Sequence, residues 1–308
     1  MVMGVFCDIF PEHLRGLVAR IPVDHVYELR MRVNQPITVC MSGGVFFLHE
    51  RGLSTNSDGA VVVSRTDLDA IVHRASSHSI YAFNDQLRQG FITIRGGVRI
   101  GICGTVVSEK GAVLTVKNVQ SLNIRIPHQV RGCSYSALAH VFSDDNRVRS
   151  TLIVAPPGAG KTTFLRDLAC QVGKHFPAQN VLVVDERGEL AANHLGENQL
   201  DVGHCADVIS GCTKAYGFEC GVRSMRPDVI ITDEIATAED IAMVSLACRS
   251  GVAVLASVHA GGIDEIRLKP GFREMVDNQV FDRYVVLGVR DKPGCVVAVY
   301  DKNLKTLA

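Results

Sequence analysis

The stretch Thr151-Leu-Ile-Val-Ala-Pro-Pro-Gly-Ala-Gly-Lys-Thr-Thr163 decides how the rest of this 308-residue chain is read. An apolar run ending at Ala155 reads as a buried strand, and Phe164-Leu-Arg-Asp-Leu-Ala-Cys170 has the apolar spacing of a helix. Between them, Gly158 and Gly160 let the backbone curl so that its N–H groups converge on an anion, where the helix N-terminus adds partial positive charge. In this pattern Lys161 reaches the β- and γ-phosphates of a nucleotide, and the Thr162 hydroxyl ligates Mg²⁺. Ala155, Pro156, Pro157, Gly158, Ala159, Gly160, Lys161, Thr162 and Thr163 are therefore the candidate nucleotide-binding residues, with ATP as substrate and Mg²⁺ as cofactor. The first position of the motif usually holds Gly. Ala155 fits there provided its backbone keeps a negative φ. The alternative is a chance Gly-rich turn, against which stand the strand before it and the helix after it.

A second strand pattern, Val229-Ile-Ile-Thr232, delivers Asp233 and Glu234 at its C-terminal end, the edge at which open α/β sheets bind ligands. Asp233 would hold Mg²⁺ through a water. Glu234 would polarise the water that attacks the γ-phosphate in line. Taken alone, an Asp-Glu pair after a strand reads equally as a helix cap. A third strand, Val181-Leu-Val-Val184, delivers Asp185-Glu-Arg-Gly-Glu189, either a solvated turn or a second acidic shell with Glu186 as a further catalytic candidate. His259, in Ser257-Val-His-Ala-Gly-Gly262, follows another buried strand; it is a structural hydrogen-bonder or a sensor of the γ-phosphate.

The pattern around these motifs is α/β: from about residue 148 onward, near-continuous apolar strands alternate with helical segments. That predicts an α/β domain at 148–308 with a mainly parallel sheet covered on both faces. Residues 1–147 read as a smaller mixed α/β domain, ending in the polar stretch Ser143-Asp-Asp-Asn-Arg-Val-Arg149. Within it, a helix starts near Pro11, a strand runs through Val26–Val33, and Ser42-Gly-Gly44 marks a hairpin. Thr66 caps a helix through Leu68, Ile71 and Val72. Strands follow at Phe91–Ile94, Val98–Ile102 and Leu122–Ile126. A hairpin turns at Asp291-Lys-Pro-Gly294.

Hydrophobic residues make up 47% of the chain, which fits a packed protein and excludes a disordered one. No apolar run approaches the roughly 20 residues that span a bilayer. Met1–Cys7 is apolar but lacks basic residues and is followed at once by Asp8, so it does not read as a signal peptide. The ten cysteines are scattered with no Cys-x-x-Cys, the usage of free thiols in a reducing compartment. A cytoplasmic protein is expected. Residues 1–150 carry 16 Lys and Arg against 12 Asp and Glu, +4; residues 151–308 carry 16 against 20, −4. This asymmetry is too small to argue for nucleic acid, but it lets the basic half of one subunit meet the acidic half of another.

Four of these elements together resemble the secretion ATPase superfamily, the hexameric engines of type II and type IV secretion and of pilus extension and retraction. Gly158–Thr163 resembles its phosphate loop and Asp185–Glu189 its acidic box, usually Glu-Asp-Pro-x-Glu. Arg226–Ile235 is similar to its Walker B region and Ser257–Ala260 to its histidine box. The whole chain further resembles a sporulation branch of endospore-forming bacteria, through Gly96–Gly104, Asn123–Pro127, Val184–Glu189 and Ser224–Asp228. The resemblance implies a RecA-like P-loop fold for residues 148–308 and a mother-cell ATPase, peripheral to the membrane, that serves the membrane proteins of a sporulation channel complex. It also implies a homo-oligomeric ring, a hexamer, with arginines of the N-terminal domain approaching the γ-phosphate in trans. Arg99 and Arg125 lie in the best-matching segments, though an arginine on a half-buried strand also serves as a plain solvated face. Arg223 and Arg226, just before the Asp233 strand, are further candidates.

Two other functions share the loop. A small-molecule kinase would need an arginine-bearing lid, and no Arg-rich insert follows Asp233. A nucleotide-dependent scaffold without turnover has no use for Glu234. GTP is disfavoured because no Asn-Lys-x-Asp occurs.

Overall fold

A computed structural model describes residues 6–76, 88, 90–109, 112–289 and 294–308. Residues 1–5 of the apolar start and most of the expected turn at Asp291–Gly294 lie outside the described residues. The chain forms two compact units, one of residues 1–128 with 194–199, the other of residues 129–193 with 200–308.

The first unit is built on an antiparallel sheet in the order β4-β3-β2-β1-β7-β6-β5. Its strands are β1 (Val26–Arg32), β2 (Thr38–Met41), β3 (Gly44–His49), β4 (Gly52–Ser54), β5 (Phe91–Thr93), β6 (Arg99–Glu109) and β7 (Ala112–Arg125). Met41 pairs with Gly44, so Ser42 and Gly43 make the two-residue hairpin loop. Period-2 alternation sends Leu29 and Met31 of β1, Ile100 and Ile102 of β6, and Leu122 and Ile124 of β7 into one core. Helices α1 (Glu12–Val18) and α2 (Arg65–Ala75) close it with Leu14, Val18, Leu68 and Ile71. The cap of α2 is Ser64, not Thr66: Ser64 Oγ accepts the Asp67 N–H and the Asp67 carboxylate accepts the Ser64 N–H. The helix begins at Arg65, so the cap must stand one residue before it. Beyond Cys103, β6 and β7 pair with each other as a ribbon that the shorter sequence patterns did not include. Residues 194–199 belong to this unit, where Gln199 Oε1 accepts the Gly96 N–H at 2.7 Å.

The second unit begins well before the boundary expected at 147/148. Buried Asp167 explains why. Its carboxylate accepts the N–H groups of Gly132 and Ser134, each at 2.8 Å, and the Ser134 hydroxyl at 2.6 Å. The polar stretch at 143–149 is a turn inside this unit, closed by Ser143 and Asn146 and returning through the Arg149 N–H to the Val141 carbonyl.

Its sheet runs β10-β9-β11-β12-β8-β13-β14. The strands are β8 (Thr151–Ala155), β9 (Val181–Asp185), β10 (Ala206–Ser210), β11 (Val229–Thr232), β12 (Ala253–His259), β13 (Arg283–Gly288) and β14 (Cys295–Asp301). All neighbours are parallel except the final β13–β14 pair. Alternation again divides the strands. Ile153, Val183, Ile231, Leu255 and Val285 face helix α3 (Lys161–His175) through Phe164, Leu165 and Leu168. Leu152, Val154, Leu182, Val184, Ile230 and Val254 enter the opposite core with Phe218 of α4 (Lys214–Ser224) and Val244 of α5 (Ala238–Arg249). Both faces are covered, so the strands read as unbroken apolar runs. All ten cysteines are free thiols. Among the described residues no helix is long and apolar enough to cross a membrane.

Helix α4 lies on β9 so closely that only glycine fits at its contact points. A Cβ at Gly217 would stand 2.5 Å from Val184 Cγ1, and one at Gly221 would meet Leu182. Overpacking of this kind costs about 1–3 kcal/mol, while Gly to Ala returns up to about 1 kcal/mol of helix propensity. Gly217→Ala is therefore expected to lower the urea midpoint of unfolding, and an unchanged or higher midpoint would show that α4 and β9 are less tightly joined.

Candidate nucleotide site

The parallel order sets the C-terminal ends of β9, β11, β12 and β8 side by side, bringing Asp185, Asp233, His259 and Ala155 to one edge. The loop after β8 is held at both shoulders. Ala155 O accepts the Ala260 N–H at 3.2 Å, and Ala159 O accepts the Gly294 N–H at 2.9 Å. Within it, Pro156 O accepts the Ala159 N–H at 3.3 Å. Gly158 and Gly160 have φ of 78° and 87°, the left-handed region that a side chain resists. Ala155 is fully buried and is not among the residues with positive φ, so the alanine at this position carries no backbone strain. Pro157 precedes the Gly158 turn, and Thr163 lies in the first turn of α3, its carbonyl accepting the Cys133 thiol at 3.7 Å.

Helix α3 starts at Lys161, whose buried ammonium lies 2.9 Å from His259 Nδ1. Burial holds this ammonium below its ordinary lysine value, opposed by the negative charges of Asp233, Glu234 and Glu189. One residue on, the Thr162 hydroxyl donates to Asp233 Oδ2. The other Asp233 oxygen accepts the hydroxyl of fully buried Ser257 and the Glu234 N–H at 2.9 Å. Ser257 Oγ also accepts that N–H, at 3.0 Å. These contacts hold Glu234 at a φ of 45°, a conformation that costs a non-glycine residue about 1–3 kcal/mol and persists where surroundings fix it. The Glu234 carboxylate lies between two groups: Oε2 accepts from Arg187 Nη1 at 2.6 Å, and Oε1 is 3.8 Å from His259 Nε2.

The turn after β9 divides its acids between different tasks. Asp185, only 2% exposed, accepts the N–H groups of Glu189, Leu190 and Ala191 at 2.9, 3.1 and 2.8 Å. Buried Arg166 of α3 takes the carbonyls of Glu189 and Leu190, each at 2.7 Å. Glu186 pairs with the buried Lys214 ammonium at the start of α4. Asp185 is thus a buried turn-former, so neither the solvated turn nor the second acidic shell describes this segment as a whole.

The structure brings Lys161, Thr162, Asp233, Glu234 and His259 together. It does not bring Arg223 or Arg226 to them. Arg226 lies before the N-terminal end of β11, a strand length from Asp233, and Arg223 pairs with Glu219 along α4. Arg99 and Arg125 belong to the first unit, where they are cross-strand partners on β6 and β7, with the Arg99 guanidinium 3.7 Å from the Phe91 ring centroid. Ser257 and Arg187 were given no role from sequence, although both lie inside motifs singled out there.

A covered parallel sheet with a glycine loop entering α3 and an Asp-Glu pair on the next strand but one defines the class: the fold is that of the RecA-like secretion ATPases. The ATPase DotB of Legionella pneumophila is similar at a TM-score of 0.53 and 14% identity, over 89% of this chain and 73% of that one. The pilus retraction motor PilT with bound ADP is similar at 0.55 and 14% identity, over 85% and 74%. The chain itself belongs to the family Sporulation stage III, protein AA, whose model matches residues 7–307. Stage III sporulation protein AA of Bacillus subtilis strain 168 is 34% identical over 316 residues, covering 99% of this chain and 97% of that protein.

Asp185→Ala would leave three N–H groups of a buried turn without their acceptor, at about 1–3 kcal/mol each. A loss of about 3 kcal/mol or more in unfolding free energy is expected from denaturant titration. A loss under about 1 kcal/mol would mean the turn does not depend on this carboxylate.

Proposed function

We propose that this chain hydrolyses MgATP as a secretion-type ATPase, in a homo-oligomeric ring that energises a membrane channel complex during sporulation. The observation that carries the reading is the joint at Asp233, where the first turn of the phosphate-loop helix meets the acidic pair through the Thr162 hydroxyl. Family membership supports the sporulation setting, and the ADP bound by the structurally similar PilT supports a nucleotide as ligand.

The residues divide the task. Backbone N–H groups at Gly158–Thr163 cradle the phosphates, and Lys161 places its ammonium on the β- and γ-phosphates. The Thr162 hydroxyl and the Asp233 carboxylate are hard oxygen donors side by side, a set that suits Mg²⁺, with Asp233 acting through a water. Magnesium bound with the nucleotide would draw charge from the β- and γ-phosphate oxygens. Glu234 takes a proton from water as that water's oxygen bonds to the γ-phosphorus. The bond to the β–γ bridging oxygen breaks, and its electron pair leaves with ADP. His259, which lies against both Lys161 and Glu234, would sense the γ-phosphate. Glu186 is the second candidate base, but its carboxylate is engaged by Lys214.

Arg99 and Arg125 are the proposed cations supplied by a neighbouring subunit. Arg99 and Arg125 are directly opposite in the β-ladder, so both side chains leave one face of the sheet and would meet a neighbouring subunit's anion together. The same arrangement in a ring, a hexamer, would let the basic first half of one subunit meet the acidic second half of the next. Arginines supplied in trans to phosphoryl transfer are worth about three to five orders of magnitude in rate.

Two variants separate binding from chemistry. Lys161→Ala is expected to abolish ATP binding in calorimetry while the fold is kept, and undiminished affinity would remove the loop assignment. Glu234→Gln is expected to bind ATP normally and turn over about two to four orders of magnitude more slowly. Wild-type turnover in that variant would transfer the role of base to Glu186 or Glu189, and release of ADP only with an added acceptor would make the protein a kinase.

Complementation tests the trans arrangement. Mixing Glu234→Gln protein with an Arg99→Ala, Arg125→Ala double variant should restore part of the activity, because some interfaces then combine an intact site with intact arginines. No recovery in mixed assemblies of confirmed mixed composition would place the assisting cation elsewhere.

A further inference from the structure

We propose that Arg187 is a positioning residue for Glu234, fixing its carboxylate in the orientation that water activation requires. The inference rests on Glu234 being the base. The contact joins two strand exits: Arg187, just beyond β9, donates from Nη1 to Oε2 of Glu234, just beyond β11, at 2.6 Å.

Three features make this more than a surface ion pair. First, the Glu234 backbone is fixed while its side chain needs a separate hold. Its N–H is shared by Asp233 and Ser257 at a φ of 45°, which sets where the side chain leaves the chain but leaves its own torsions free. An unanchored glutamate side chain forfeits up to about 1.5–2 kcal/mol of rotamer entropy when it is ordered. A guanidinium on one oxygen removes that freedom in advance and leaves Oε1 turned to the His259 and Lys161 side, with Oε1 3.8 Å from His259 Nε2.

Second, the arginine stands on a rigid mount. Asp185 holds three N–H groups of its turn and Arg166 holds two carbonyls, so the β9 exit is pinned from both polarities of the backbone. Gly188, at a φ of 66°, permits the tight reversal directly after Arg187. Of the other cations nearby, Arg166 is engaged by those carbonyls and Lys214 by Glu186, while the Lys161 ammonium lies against His259.

Third, the pair is ill suited to stabilising the fold. The Arg187 side chain is 58% exposed and the Glu234 side chain 26%, and pairs this open contribute about 0–1 kcal/mol. Its removal should therefore be visible in catalysis with little change in folding.

The test measures kcat and ATP affinity for Arg187→Ala and Arg187→Lys, each in the wild-type and in the Glu234→Gln background, on the full chain. Loss of a group that orients a reacting one typically costs about 10–100-fold, and that is the expected fall in kcat for Arg187→Ala, with ATP affinity unchanged. Arg187→Lys should recover part of the loss. In the Glu234→Gln background the same change should cost nothing further, since the carboxylate it orients is gone. Wild-type kcat in Arg187→Ala would overturn the proposal, as would an increased kcat, which would make the arginine a restraint on the base. An equal fall in both backgrounds would also overturn it, and so would weakened ATP binding at full kcat. Full-rate turnover by Glu234→Gln alone is the distinct outcome that removes the base itself.

Discussion

The Asp233 carboxylate is the joint on which the candidate site depends. One oxygen holds the Thr162 hydroxyl of helix α3, and the other holds the Ser257 hydroxyl of β12 and the Glu234 N–H of its own strand exit. Three elements far apart in sequence therefore share a single half-buried carboxylate. Hydrogen bonds to a charged acceptor contribute more than neutral ones, and an uncompensated partner at this edge would be costly. That is enough to sustain Glu234 in a left-handed conformation that a glutamate otherwise avoids.

The edge exists because of the sheet. Parallel strands flanked by helices on both faces send all their C-terminal ends the same way, so chemistry-bearing residues collect there without further design. Buried anions then do the local tailoring. Asp167 draws residues 132–134 onto α3, Asp185 shapes the β9 exit, and Arg166 ties that exit back to α3. Under the proposed function, α3 would carry both the phosphate loop and the guanidinium that steadies the turn bearing Arg187, so loop and base would be held by one rigid helix.

Much of this was legible in the chain. The apolar runs at Thr151–Ala155, Val181–Val184 and Val229–Thr232 announce buried parallel strands, and the glycine spacing between strand and helix announces the loop. The parts that were not legible depend on pairings across long sequence separations. The boundary lay earlier because Asp167, 33 residues beyond Ser134, claims it, which no local polarity at 143–149 reveals. The outer part of the β6–β7 ribbon escaped because its residues are only partly covered and lack clean alternation. Asp185–Glu189 read as three similar acids, yet burial gives Asp185 to the backbone and Glu186 to Lys214. Arg187 was passed over beside those acids, since its partner Glu234 stands 47 residues away.

The measurement that bears most directly on the account is phosphate release from MgATP by the wild-type chain over a series of protein concentrations, with and without a chelator. The account predicts release that needs Mg²⁺ and whose specific rate climbs as subunits associate and supply arginines to one another. Absence of release at every concentration, or one specific rate shared by associated and strictly monomeric protein, would contradict it.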